Sequence, residues 1–470
     1  MLRIKRPKKH YSYNEIYNFI RLHESSMSRE IKLKDYYSNH NDIVHKQRKG
    51  DGKANVKASH PFANKLTSTF VGYFSGNNPL RIDYEDDAIK EQIDDFMKYN
   101  DVEKLITKLT IDACIYGESV AMTFIDKKGM VRVAPVETNE IIVLVGNDIL
   151  EEPHHVIRHW KAEDNSEHEV HYVEIYDEFT VSKFYIEVEN ERGEIKVRET
   201  GTPTVIEHLF QDVPFAFFKL ADDGLGLYER CIPLIDCYDL AVSTTMDSLI
   251  DLTDSILLVA GCELDEEVMQ QVRELRILNS SETGVNVEYV NNQIPSQEEI
   301  KDRLRRDIFS LCGIVDIDSE EWGNATSGTS LRLRLTSMEY KASVTSSYFV
   351  EGVRRLFELW GNIAQLTGKL NVDELVSNIS IQMVRNTIGN EQETVANAIQ
   401  LSSVLSKETI INLLKDFVPS VDVELERLAK EKEENALFMQ DYGHDDFENE
   451  SEDDKDDKSE EDVDKDDNST

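Results

Sequence analysis

The segment at residues 322–333, WGNATSGTSLRL, has the spacing of a phosphate-binding loop with one residue changed. Four residues separate Gly323 from Gly328, and the pattern G-x-x-x-x-G-K-[ST] requires a lysine directly after the second glycine. That lysine supplies the cationic contact to the β- and γ-phosphates, and Thr329 occupies its place here. We therefore predict no nucleotide site, and interpret the segment as a Gly-, Ser- and Thr-rich loop between two helices.

The residues that precede this loop are negatively charged, and no Lys or Arg occurs between Arg306 and Arg332. The acidic side chains are those of Asp316, Asp318, Glu320 and Glu321. A triphosphate brought to this segment would meet charge of its own sign, which also argues against a nucleotide site.

Other patterns typical of enzymes and metal sites are missing from the sequence. It contains no GxSxG, no H-R-D, no HExxH, no C-x-x-C and no GxGxxG after a strand. Four histidines lie in or beside segments that alternate like strands, and we interpret them as surface residues because a zinc site needs a closed ligand set. They are His154, His155, His168 and His171. We predict no catalytic residue, no metal site, no cofactor and no enzymatic activity.

The chain is acidic throughout its length, with a net charge of −39 over 470 residues. Residues 441–470 contain 16 Asp/Glu and 3 Lys and contribute −13, so the other 440 residues carry −26. Since DNA affinity usually comes from Lys and Arg, this balance argues against a protein that wraps nucleic acid tightly. It does not exclude a protein that DNA must pass without sticking.

Cysteine usage and hydropathy indicate synthesis in a reducing cytosol. The five cysteines form no C-x-x-C and are odd in number, so a disulfide framework is not predicted. The basic N-terminus MLRIKRPKKH is not followed by an apolar run, and no stretch approaches 18 apolar residues. Neither a signal peptide nor a membrane span is predicted.

Hydrophobic periodicity predicts a mainly helical α+β protein with a β-rich insert. Residues 1–25 begin as a basic arm, interpreted as solvated, with contact to an acidic neighbour or nucleic acid as the alternative. Residues 60–125 have helical spacing, and residues 118–220 alternate like short antiparallel strands that start with a hairpin. A helix is predicted within residues 226–253, with Pro233 near its first turn.

The C-terminal half is predicted to be helical around a small αβ segment. Two strands flank a short helix between residues 256 and 295, and a capping box at Ser296–Glu299 opens a further helix. That helix is expected to place Ile300, Leu304, Ile308 and Leu311 on one face. A long helix at about 331–366 follows the loop, residues 371–440 are helical again, and residues 441–470 cannot form a core.

The long helix carries an apolar seam whose spacing is mostly four, three, four. Its first members are Leu331, Leu335, Met338 and Ala342. Such a stripe packs against neighbours within a chain or between chains, so we expect either a core contact or a subunit contact.

Several stretches, taken in order, resemble one known family. They are HPFANKLTSTFVGYFSGNNP, LTIDACIYGESVAMTFIDKKG, VPFAFFKL followed by CIPLIDCYDLAVSTTMDSL, LCGIVDIDSEEWGNATSGTSLRLRL, and VRNTIGNEQETVANAIQL with LSKETIINLL. The ordered set is similar to the portal protein of tailed bacteriophages of the long non-contractile tail type, and it covers roughly residues 50–430.

The resemblance implies a head-to-tail connector, which is a ring of about twelve subunits at one capsid vertex. Double-stranded DNA would pass through its channel during packaging and ejection. The implied partners are the terminase large subunit, a head–tail adaptor, and the capsid and scaffolding proteins, with no membrane. The protein would be made in the host cytoplasm and reside in the virion.

By position, the resemblance also implies a division of the chain. Residues 26–225 and 330–370 would be the wing, 226–255 and 296–313 the stem helices, 256–295 the clip, 314–329 the tunnel loop, and 371–440 the crown. Residues of the DNA-channel loop would be Asp316, Asp318, Glu320, Glu321, Trp322, Gly323, Asn324, Ser327 and Gly328. The acidic tail at 441–470 is not a general family feature, and Thr329-Ser330 after the glycine departs from the family's pattern.

An acidic loop with one aromatic residue would repel the phosphate backbone and leave few stable contacts, so we expect it to keep a channel surface non-adhesive. An ordinary solvent-exposed connection is the alternative for the loop. For the whole chain, the alternatives are a cytosolic acidic scaffold or adaptor without a DNA channel, and a nucleotide-driven motor or nuclease. The missing lysine weighs against the motor.

Overall fold

The computed structural model describes residues 1–6, 8, 10–47, 54–147, 149, 151–161, 169–191, 194–253, 257–260, 286–289, 298–319, 328–368, 370–386, 391–414, 421 and 423–431. The chain forms two compact units, Met1–Thr387 and Ile388–Thr470. As the sequence predicts, the protein mixes helices and strands. Among the described residues, no helix is both long enough and apolar enough to cross a lipid bilayer.

The N-terminal segment is part of the folded unit. Strand β1 (Leu2–Lys5) pairs in parallel with strand β5 (Ile141–Val145). Helix α1 (Tyr13–Tyr37) begins at a capping box in which the Ser12 side chain accepts from the Glu15 amide. The interpretation of residues 1–25 as a solvated arm was therefore wrong for these elements, because pairing with β5 and helix capping satisfy their backbone groups.

A six-stranded sheet with the order β1-β5-β6-β7-β8-β9 dominates the β-rich segment. Its remaining strands are β6 (Pro153–Lys161), β7 (Glu169–Tyr176), β8 (Thr180–Glu191) and β9 (Glu194–Glu207), each antiparallel to the one before. Helix α1 packs through Ile16 and Ile20 against Ile157 and Val173 of this sheet. The predicted run of antiparallel strands is confirmed.

A second sheet has the order β10-β3-β4, with β10 (Phe215–Lys219), β3 (Glu118–Ile125) and β4 (Val131–Val136). The predicted hairpin is the β3–β4 pair, and Gly129 takes a φ of 77° in its turn. Val120 and Phe215 of this sheet share an apolar cluster with Val143 and Val156 of the six-stranded sheet.

The main core is helical. It contains residues of α2 (Phe62–Ser75), α3 (Asp87–Asn100), α4 (Val102–Tyr116) and α7 (Gly328–Leu366), which confirms the predicted helices in residues 60–125 and the long helix after the loop. Helix α7 lies close to β10, since a Cβ at Gly352 would come within 2.5 Å of the Phe218 ring.

Helix α5 (Ile232–Thr253) carries Pro233 in its first turn, as predicted. Strands β11 (Leu257–Ala260) and β12 (Asn286–Tyr289) pair antiparallel, which confirms the two strands expected between residues 256 and 295. The short helix predicted between them lies outside the described residues.

Helix α6 (Glu298–Cys312) buries the predicted face only in part, through Ile308 and, half-buried, Leu304. Ile308, Phe309 and Cys312 are buried, whereas Ile300 and Leu311 are exposed. Ile300 lies near the start of the helix, and the residues that α6 buries in the main core come from its last turns.

The end of the first unit contains α8 (Val372–Asn378) and β13 (Ser380–Met383). Strand β13 pairs antiparallel with β2 (Leu80–Asp83), so the prediction that residues 371–440 are helical was wrong at this strand. Within the part of the chain that the structure describes, short 3₁₀ turns occur at Asp42–His45, Thr138–Glu140 and Glu229–Cys231.

The second unit contains α9 (Glu391–Leu401) and α10 (Lys407–Leu413), and residues 423–431 are also helical. The Ser406 side chain accepts from the Thr409 amide, which confirms the predicted cap of α10.

Candidate functional site

The loop predicted to be functional begins at a well-defined helix end. Gly313, directly after α6, has a φ of 66°, the left-handed conformation that glycine adopts easily. The Ile314 amide donates to the Phe309 carbonyl at 3.0 Å, and the Ile314 side chain is buried. The first residues of the loop are thereby fixed to α6.

Asp316 forms a two-pronged ion pair with Arg305 of α6. The Arg305 Nε donates to Asp316 Oδ2 at 2.8 Å, and Nη2 donates to Oδ1 at 3.1 Å. The carboxylate raises the pKa of Arg305 through these hydrogen bonds. The backbone of Asp318 also donates to Asp316 Oδ1, at 3.2 Å. Asp316 therefore has a structural role, since it holds the start of the loop against α6.

Asp318 is paired less firmly, with a cation from another helix. Lys65 of α2 lies 2.9 Å from Asp318 Oδ2, and this contact lowers the pKa of Asp318. Sequence reasoning missed both Arg305 and Lys65 because it counted cations only along the loop itself. Lys65 is too far along the chain for the sequence to indicate this contact, whereas Arg305 lies only about two helical turns before the predicted helix end at residue 313.

The rest of the predicted channel loop is described only at its end. Gly328 is the first residue of α7. Glu320, Glu321, Trp322, Gly323, Asn324 and Ser327 lie outside the described residues.

An open groove of about 700 Å³ lies between α6, residues 314–319 and the start of α7. Besides Asp316 and Arg305, it is lined by Arg306 and Arg334. Within the described residues, neither Arg306 nor Arg334 is found in an ion pair. The groove therefore presents basic side chains beside the acidic loop, which the sequence did not indicate.

The predicted seam of α7 faces the interior of the chain. Met338 and Ala342 are buried in the main core, and Leu335 is partly buried against it. The side chain of Leu331 is outside the described residues. Within one chain, the seam thus makes a core contact, which was one of the two expected roles. A subunit contact through it stays a prediction.

The opposite face of α7 carries apolar side chains in water. Leu333 and Tyr340 are each 71% exposed and Val344 is 50% exposed. Their spacing of seven and four residues places them on one side of a helix. We call these three residues the outer stripe. Tyr340 and Val344 also line a groove of about 340 Å³ together with Leu311 of α6 and Leu225.

The four histidines considered from the sequence are not all surface residues. His154 is exposed and His155 is half-buried, but His171 is fully buried beneath α1. The surface interpretation was wrong for His171, because α1 covers its side of the sheet. His168 lies outside the described residues.

Three comparisons relate the chain to known proteins. The family described as "Phage portal protein, SPP1 Gp6-like" matches residues 18–436. No curated protein matches the chain in sequence. Among solved structures, a chain from "Neck of empty GTA particle computed with C6 symmetry" is similar with a TM-score of 0.40 and 12% identity, covering 80% of this chain and 94% of that one. A chain from "Virion of native gene transfer agent (GTA) particle" has a TM-score of 0.39 and 12% identity, with coverage of 82% and 93%.

Proposed function

The chain belongs to the phage portal protein family, SPP1 Gp6-like, and we propose from this membership that it forms a ring at one capsid vertex. Double-stranded DNA would pass through the channel of this ring during packaging and ejection. The ring, of about twelve subunits, would be the docking platform for the terminase large subunit and a head–tail adaptor, and would contact capsid and scaffolding proteins. The observation that carries the proposal is the family match over residues 18–436. The role is structural, and the protein would reside in the virion.

The proposed parts of the subunit follow the order of its elements. Helices α5 and α6 would be the stem, the β11–β12 pair would belong to the clip, and residues 314–329 would be the tunnel loop. Residues 26–225 and 330–370 would form the wing, and 371–440 the crown. The acidic segment 441–470 has no assigned place.

Exposed apolar side chains on α5 and α7 support a role for both helices in subunit contacts. The outer stripe of α7 leaves large apolar groups in water, and so do Met246, Leu249 and Ile250 of α5. A second copy of the chain that covered these surfaces would remove apolar area from water, which favours association. We assign the outer stripe to a subunit contact, alongside the seam predicted from the sequence.

The ion pairs at the base of the loop indicate which of its acidic residues would repel DNA. Asp316 and Asp318 are neutralised by Arg305 and Lys65, so their part in repelling DNA is small. Repulsion would fall mainly to Glu320 and Glu321, with Trp322 and the glycines supplying shape. The acidic loop would let a phosphate backbone slide past it without counterion release, whereas Arg306 and Arg334 keep the adjacent groove basic.

Negative-stain imaging of the purified protein, paired with light-scattering mass, tests the ring. We expect rings with a central hole and a mass of about a dozen times 54 kDa. A monomer of 54 kDa at every salt and protein concentration would contradict the ring and favour the adaptor alternative.

The channel loop is tested separately by a Glu320→Lys, Glu321→Lys double variant, with Glu320→Gln, Glu321→Gln as its matched control. Added positive charge should bind phosphate and impair DNA packaging or ejection, while the neutral variant should retain most of the phage yield. Normal yield from the lysine variant, with rings intact, would remove the non-adhesive role of this loop.

A further inference from the structure

Three potential metal ligands meet where helix α1 crosses the six-stranded sheet. Glu24 comes from α1, and Glu169 and His171 come from β7. One ligand atom of each residue lies within 4.8 Å of the other two. Ligands around a single ion must converge in this way, since metal–ligand bonds to zinc are only about 2.0–2.2 Å long.

His171 is the unusual member of this cluster. Its side chain is fully buried, and neither ring nitrogen has a hydrogen-bond partner among the described residues. Its Nε2 lies 3.4 Å from Glu169 Oε1, but in a geometry that makes no hydrogen bond. A buried polar group without a partner costs roughly 1–3 kcal/mol, so a native structure that retains one calls for an explanation.

The surroundings hold the imidazole in place from two sides. The ring of Tyr17, about two helical turns before Glu24 on α1, meets the His171 ring edge-on at 6.2 Å between centroids. Within the sheet, His171 lies opposite Lys161 of β6 and Ile186 of β8. The His171 ring thus has neighbouring strands on both sides and α1 above it. Of the other two ligands, Glu24 is exposed and Glu169 is half-buried. The cluster opens to solvent on its carboxylate side.

We propose that Glu24, Glu169 and His171 bind a first-row divalent cation, with Zn²⁺ the best match. One imidazole nitrogen and two carboxylate oxygens form a ligand set that zinc accepts, whereas Mg²⁺ and Ca²⁺ prefer oxygen ligands alone. Three protein ligands leave a further position for water. The ion would satisfy the buried His171 nitrogen and tie α1 to the sheet.

A neighbouring lysine competes for this site. Lys161 Nζ donates to Glu169 Oε1 at 2.9 Å, so a cation already occupies one carboxylate oxygen. The ion would use the other oxygen of Glu169 or displace the ammonium group. Removing the lysine should therefore strengthen metal binding.

The test measures Zn²⁺ binding by the full chain, without a polyhistidine tag, in competition with a chromophoric chelator. We expect one Zn²⁺ per chain, a rise in the thermal midpoint on adding Zn²⁺, and no response to Mg²⁺. Co²⁺ gives an independent visible absorption signal for the same site. Absence of Zn²⁺ binding by the unmodified chain would overturn the proposal.

Two variants locate the ion and one tests the competing lysine. Glu24→Gln changes an exposed residue and should weaken binding by about tenfold or more, since even outer partners of metal ligands contribute that much. His171→Leu should abolish binding, and Lys161→Met should tighten it. His154→Gln, an exposed histidine outside the cluster, is the matched control. Equal affinity of Glu24→Gln and the control, or weaker binding by Lys161→Met, would contradict the assignment.

Discussion

Among single residues, the two aspartates at the base of the loop differ in how firmly the chain holds them. The Asp316 side chain is 16% exposed and receives both prongs of Arg305, whereas the Asp318 side chain is 59% exposed and meets one lysine. Replacing Asp316 by Asn removes one partner of a two-pronged charge pair. We expect the free energy of unfolding to fall by about 1 kcal/mol. Urea unfolding of the full chain measures the change.

Asp318→Asn is the matched control for this prediction. Because exposed ion pairs contribute little to stability, its unfolding curve should overlay that of the unmodified chain. If both variants lost the same stability, the distinction drawn between the two aspartates would be wrong.

His155 in strand β6 and His208, directly after β9, predict how stability depends on pH. Burial is the main cause that lowers the pKa of His155 and of His208, although Asp177 acts in the opposite direction on both. Further charged groups near them are His154 for His155 and Asp212 for His208. Since the folded pKa is lowered, the unfolded chain binds protons more readily. The stabilisation is present above the unfolded value of about 6.5 and is lost as the pH falls below it.

The expected result is a lower thermal midpoint at about pH 5.5 than at about pH 7.5, and a smaller difference in a His155→Gln, His208→Gln variant. Thermal unfolding followed by circular dichroism gives both values. An unchanged pH dependence in the double variant would show that other groups cause it. His40→Gln, at an exposed position that acts on neither histidine, should leave the difference as it is.

At the level of elements, the long periodic segments and the short β11–β12 pair were predictable, whereas strands β1 and β13 were not. Helix α7 and the strands of the β-rich segment repeat their apolar residues with the period of a helix or strand over many positions. Strands β1 and β13 have four residues each and exist because β5 and β2 supply their hydrogen bonds. A partner so distant along the chain leaves no local pattern.

The same limit applies to the candidate sites. Asp316 and Asp318 were identified as acidic from the sequence, but their cations come from α6 and α2. His171 was considered, yet only the packing of α1 onto β7 shows that it is buried and brings Glu24 beside it. The sequence identifies which residues could bind or repel a ligand, whereas the burial of each residue and its interaction partners depend on the fold.

A pair of cysteines offers a chemical test of how α5 and α6 pack. Cys231 directly precedes α5, Cys312 ends α6, and their sulfur atoms lie 3.0 Å apart in the main core. Oxidation by diamide should join them in an intrachain disulfide, with both thiol hydrogens transferred to diamide. Mass spectrometry of non-reduced peptides detects the link. Cys312→Ser should prevent it.

The exposed Cys237 serves as the internal reference for this experiment. It lies on α5 and has no sulfur beside it among the described residues, so it should remain free or form links only between chains. An intrachain link from Cys237 in place of the expected one would contradict the packing of the two helices.

For the whole molecule, the central issue is which face of α7 joins one subunit to the next. The seam faces the chain's own core through Met338 and Ala342, and the outer stripe faces solvent through Tyr340 and Val344. A subunit contact needs a surface that is available once the chain has folded. The outer stripe meets that condition in the single chain.

Paired variants on the two faces of α7 separate assembly from folding. Tyr340→Glu places a charge on the outer stripe and should leave the thermal midpoint nearly unchanged, while light-scattering mass falls from that of a ring to that of a monomer. Tyr340→Phe keeps the apolar surface and should still form rings. Leu335→Asp places a charge against the core and should destabilise the folded chain by about 2 kcal/mol, whether or not a ring forms. Rings of normal mass from Tyr340→Glu would exclude this residue from the subunit contact. That result would favour a subunit contact through the seam instead.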